Sequence, residues 1–126
     1  MKRRVDGWPG VWLLDSVTEG GPEQIGQVVV TGSHGGVSAA RYAQEYRPFL
    51  VIFNDAGVGK DRAGVIGLDL LEEAGIAAVA VAHTSARIGE AKSTFEEGVI
   101  SHANAPARRL GLKPEQKVQE AIRMLL

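Results

Sequence analysis

The chain reads as an α/β protein: a three-layer sandwich around a mostly parallel sheet of four or five strands, Rossmann-like or flavodoxin-like in plan. Three observations predict it. Apolar, β-branched runs of strand length recur along the chain. Between them lie stretches with an apolar residue every three or four positions. Glycine-rich or polar breaks separate one kind from the other.

Residues 1–10 hold Gly7, Trp8, Pro9 and Gly10 and read as an irregular arm, with Trp8 covering one end of the core. Val11 to Thr18 predicts a first strand, closed by Gly20-Gly21-Pro22. Gln27-Val28-Val29-Val30-Thr31 predicts a buried strand, broken by Gly32-Ser33-His34-Gly35-Gly36. A helix follows with Val37, Ala40, Ala43 and Tyr46 on one face, ended by Pro48, which disfavours helical geometry at Arg47. Residues 49–53 are apolar throughout, as a strand covered on both faces requires. After the loop 54–61, a helix is expected from Arg62 to Ala74 on a face of Ala63, Ile66, Leu70 and Ala74, with Gly75 as its stop. Ile76 to Ala82 predicts a further buried strand and Val99-Ile100 a short one. Helices are expected over 101–110, and from Pro114 to the end along Val118, Ala121, Ile122 and Leu125.

Length and composition narrow the function classes. The 126 residues suit one domain spanning 1–126. With 14 basic and 15 acidic residues the net charge is −1, so no basic excess is available for a nucleic-acid backbone. No cysteine is present, which excludes disulfides and thiolate chemistry. No run approaches the ~18 apolar residues that cross a bilayer, and no apolar leader follows Met1-Lys2-Arg3-Arg4. The expectation is a cytoplasmic protein without membrane or nucleic-acid partners. A homo-oligomer is expected, joined through the Trp8 arm or the apolar end Met124-Leu125-Leu126.

In a parallel sheet the loops leaving the strand C-termini share one edge, and ligands bind there where strand order reverses. That edge gathers the polar residues. The loop after the second strand holds Gly32, Ser33, His34, Gly35 and Gly36; the next holds Asn54, Asp55, Gly57, Gly59 and Lys60; the stretch after the fourth holds His83, Ser85 and Arg87. Two of these loops open helices, whose N-termini carry roughly +0.5 of a charge. The glycines admit a ligand close to the backbone, Lys60 supplies charge, and Arg87 in Ser85-Ala86-Arg87-Ile88-Gly89 grips a carboxylate or phosphate at two points. The expected ligand is a small anionic metabolite. His34 is the expected acid/base group, because imidazole titrates near neutrality, with Asp55 as its orienting carboxylate or second acid/base group.

Other motifs fail on spacing. A P-loop ending at Gly59-Lys60 requires glycine where Asn54 stands and Ser or Thr where Asp61 stands. A dinucleotide fingerprint begun by Gly57 and Gly59 meets Arg62 at its third glycine. A nucleophile elbow over 32–36 requires serine where His34 stands. His34, His83 and His102 lack the short spacing of a zinc site, so no metal site is assigned. No cofactor is named by any motif.

Residues 98–111, Gly-Val-Ile-Ser-His-Ala-Asn-Ala-Pro-Ala-Arg-Arg-Leu-Gly, resemble the active segment of phosphohistidine swivelling domains in phosphoenolpyruvate-using enzymes. There a Ser-His-Ala stretch opens a helix ending in Ala-Arg-x-Leu-Gly. The resemblance implies that His102 carries a phosphoryl group. The chain departs from the pattern at Pro106, and at 112–116, where the family continues with a strand and a helix is expected here. Three functions are therefore open: a lyase, isomerase or hydrolase acting on a carboxylate- or phosphate-bearing molecule; a non-catalytic metabolite-binding or partner-docking module; and a phosphohistidine carrier.

Overall fold

The computed structural model describes residues 1–126. Its strands are β1 (Lys2–Arg4), β2 (Val11–Leu14), β3 (Val28–His34), β4 (Leu50–Asn54), β5 (Ala77–Val81) and β6 (Ile100–Ala103). Its α-helices are α1 (Val37–Tyr46), α2 (Gly67–Glu73), α3 (Ala91–Glu97), α4 (Ala105–Arg109) and α5 (Val118–Leu125). The strands form one six-stranded sheet in the order β1-β2-β3-β4-β5-β6. β2 to β5 are parallel, as the alternation of strand and helix predicts. Both outer strands are antiparallel to their neighbours. The sheet is thus mixed, and its parallel block runs in consecutive order without the reversal expected.

Every residue of β4 and β5 is buried, the burial expected of central strands. Alternate side chains build two cores. Val28, Val30, Leu50, Ile52, Val79 and Val81 pack with Phe95, Val118 and Ile122 of α3 and α5. Val29, Val51, Phe53, Ala78 and Ala80 pack with Ala39, Ala40, Ala43, Leu68 and Leu71 of α1 and α2. Helices therefore cover both faces.

Several elements differ from expectation, each for a local reason. The last helix, expected from Pro114, begins at Val118, because Glu115 holds φ 79° and Lys117 bridges to Val99. The arm is not wholly irregular: β1 pairs Lys2–Arg4 with Trp12–Leu14, and Trp8 lies edge-to-face on Phe95 at 4.9 Å with the Arg123 guanidinium 3.7 Å over its ring. β2 stops at Leu14 because Ser16 caps a short turn at Val17–Glu19 in a reciprocal box with Glu19. α2 begins at Gly67 rather than Arg62, because Ala56, Gly57, Val58, Gly59, Asp61 and Arg62 all hold positive φ. Of its expected face, Leu70 and Ala74 pack half-buried against the core while Ala63 is exposed; Val65, Leu68 and Leu71 are the fully buried stripe, set by the close approach of Gly67, where a Cβ would stand 2.2 Å from the Gly36 carbonyl. The expected helix over 101–110 is β6 plus α4, which Asn104 caps by accepting from the Ala107 N–H, with Pro106 in the first turn.

Candidate functional site

The C-terminal edge of the parallel block carries the site. The loops leaving β3 and β4 lead to helices on one face of the sheet, whereas the chain leaving β5 departs to α3 on the other. That divergence opens a crevice without any reversal of strand order. The departing stretch 82–91 runs back along the edge and is stitched down. Asn54 Nδ2 donates to the Ala86 carbonyl at 3.0 Å, the Gly89 N–H to the Gly32 carbonyl at 2.7 Å, and the Ala91 N–H to Asp15 Oδ1 at 3.0 Å. Between this stretch and α3 lies a cavity of about 500 Å³, lined by Asn54, His83, Ser85, Arg87, Ser93 and Glu97 among others.

Beside the cavity Asp55 is 5% exposed. Its Oδ1 accepts from the Gly57 N–H at 2.8 Å and the His83 N–H at 3.0 Å, and lies 3.2 Å from His83 Nδ1. Its Oδ2 accepts from the Ser101 hydroxyl at 2.8 Å. Burial alone raises a carboxyl pKa, but these donors favour the charged form and hold Asp55 below the usual carboxylate range. An ionised carboxylate only accepts, so the nitrogen facing it is Nδ1–H. His83 Nε2 makes no hydrogen bond, and the side chain is 56% exposed. Ser101 Oγ in turn lies 3.0 Å from His102 Nδ1.

The expected pairing of His34 with Asp55 does not form; the imidazole on Asp55 is His83. His34 ends β3 exposed to solvent, with its own ring against Gly36. The glycines of the first loop are filled by protein rather than open to a ligand. A Cβ on Gly32 would stand 2.4 Å from the Glu90 nitrogen, one on Gly35 3.0 Å from the Gly64 carbonyl, and one on Gly36 2.8 Å from His34. Ser33 Oγ accepts from the Val17 N–H. Gly57 faces the His83 ring, whereas Gly59 and Lys60 lie in an exposed turn away from the cavity lining. Asn54, Ser85 and Arg87 do meet at the cavity. Asn54 and Ser85 also hold the loop, Asn54 Oδ1 accepting from the Ala56 N–H and Ser85 Oγ from the Val99 N–H.

Sequence reasoning places His83 and Ser93 on the edge without assigning either a role, and passes over Glu97. Ser93 Oγ accepts from the Arg87 N–H and donates to Glu97 Oε1, both at 2.9 Å. The turn at 56–62 was legible only as glycine-rich. Val58 at φ 66° is a β-branched residue in the left-handed region, a conformation costing on the order of 1–3 kcal/mol and characteristic of sites. Ser101 and His102 lie in a strand rather than opening a helix, so the chain departs from the swivelling-domain arrangement at the residues that carry the resemblance. No group of three or more His, Cys, Asp or Glu side chains is placed to hold a metal ion, and no helix is long and apolar enough to cross a membrane.

Comparison with family models, curated proteins and solved structures gives no match to this chain.

Proposed function

We propose that the protein is a small-molecule enzyme of the lyase, isomerase or hydrolase type, and that His83 is its general acid/base with Asp55 orienting it. The observation that carries this reading is the Asp55–His83 contact at the mouth of a polar cavity of about 500 Å³, the size range of metabolite sites. The carboxylate engages Nδ1, which leaves Nε2 to exchange a proton with a ligand. Arg87 is the sole Lys or Arg lining the cavity and selects a carboxylate or phosphate. The parallel block supports a Rossmann-like use of the strand C-termini, reached through loops that diverge to opposite faces. Met124 and Leu126, both more than half exposed, are the proposed surface of self-association.

A thermal-shift panel of di- and tricarboxylates, phosphates and phosphosugars tests the reading. At ~100 times its dissociation constant a ligand adds about 2.7 kcal/mol of stability. One anion class is expected to raise the melting midpoint of the wild type and not that of Arg87→Ala. No shift from any anion overturns the reading and favours a partner-docking module.

A further inference from the structure

Ser101 and His102 lie on β6, outside the cavity lining, yet they complete the hydrogen bonding of Asp55. The Ser101 hydroxyl has one proton and three neighbours: Asp55 Oδ2 at 2.8 Å, His102 Nδ1 at 3.0 Å and the Ala80 carbonyl at 3.3 Å. The carboxylate is the strongest acceptor of the three and the closest, so the hydroxyl proton belongs to it. His102 Nδ1 then faces an oxygen lone pair and must itself carry hydrogen. With hydrogen on Nε2 alone, His102 would either confront that lone pair or draw the hydroxyl proton away from Asp55. We propose that Ser101 and His102 are positioning residues of the site: His102 Nδ1–H sets the direction of the Ser101 hydroxyl, and Ser101 holds Asp55 with its Oδ1 turned to His83. The inference rests on the Asp55–His83 reading and extends it by two residues.

The polarity runs one way along the chain of contacts: His102 donates to Ser101, Ser101 to Asp55, and His83 to the other carboxylate oxygen. No proton needs to pass along it. Its effect is to fix which His83 nitrogen is protonated: the Gly57 and His83 N–H groups anchor Oδ1, and Ser101 on Oδ2 sets the carboxylate plane that aims Oδ1 at Nδ1–H.

The test is the ring-nitrogen NMR spectrum of the whole protein, which reports the tautomer of each histidine. His83 and His102 are both expected as Nδ1–H in the wild type. Ser101→Ala and His102→Leu are expected to lose the His83 preference and give a mixture. Ser101→Thr keeps the hydroxyl, and His102→Asn places an amide donor near Nδ1; both are expected to retain it. A purely structural Ser101 would lower the melting midpoint and leave the His83 tautomer unchanged. A wild-type His83 spectrum in Ser101→Ala, or in His102→Leu should the former not fold, overturns the inference alone. A wild-type protein whose His83 lacks Nδ1–H overturns the Asp55–His83 pair as well.

Discussion

Asp55 Oδ1 and His83 Nδ1 stand 3.2 Å apart, although 28 positions separate them in the chain. Parallel pairing of β4 with β5 brings them together: the Asp55 N–H donates to the Val81 carbonyl at 2.8 Å, so each strand end delivers its next polar residue to the same corner.

Stability should depend on pH through Asp55. Burial raises its pKa, but donors from Gly57, Ser101 and His83 outweigh burial and lower it in the folded state. A lowered folded value means that the stabilisation is complete above the unfolded value of about 3.9 and is lost as pH falls through the folded one. Asp55→Asn should therefore be less stable than the wild type at neutral pH, with the gap narrowing on acidification. Denaturant titrations at ~pH 7 and at ~pH 3 measure it; a gap that stays constant contradicts the assignment.

Asn104 should be among the costliest polar residues to remove. It is 4% exposed and satisfied on both sides of its amide. Oδ1 accepts from the Ala78 and Ala107 N–H groups, at 3.0 and 3.1 Å; Nδ2 donates to the Leu68 and Ile76 carbonyls, at 3.1 and 3.0 Å. Asn104→Ala leaves buried groups of β5, α2 and α4 unpaired. A loss of about 2–4 kcal/mol is expected in chemical denaturation.

Gly67→Ala should reverse the usual sign of its class. Alanine for glycine within a helix ordinarily stabilises by ~1 kcal/mol. Here the new Cβ would stand 2.2 Å from the Gly36 carbonyl and 2.8 Å from that of Gly35, both backbone atoms that cannot swing aside. Destabilisation of about 1–3 kcal/mol is expected. An unchanged or raised melting midpoint would mean that α2 packs more loosely on the β3–α1 turn.

The centre of the fold was legible because its signals were local. Val28–Val30 and residues 49–53 are strand-formers in unbroken runs, and the helix over 37–46 ends where Pro48 requires. The edges were legible only in part: Val99-Ile100 predicts the start of β6, but Ser101–Ala103 and Lys2–Arg4 become strand only through pairing with neighbours. The rotation of α2 was hidden too: Ile66 and Leu70 are as apolar as Leu68 and Leu71, and the choice between the two stripes falls to a backbone contact at Gly67. For the site, parallel strand direction sends Asn54, Ser85 and Arg87 to one edge, and all three line the cavity. It had no means of choosing among three histidines for Asp55, since that depends on a few ångströms of register. The glycines misled because close approach to protein and close approach to ligand call for the same residue.

The most direct measurement follows an anion selected by thermal shift through an NMR time course in D₂O, with wild-type protein and with His83→Ala. The wild type should convert the ligand or exchange its hydrogens with solvent, while His83→Ala still binds and leaves it unaltered. Equal conversion by both proteins, or a ligand that the wild type binds and never alters, would contradict acid/base catalysis by His83.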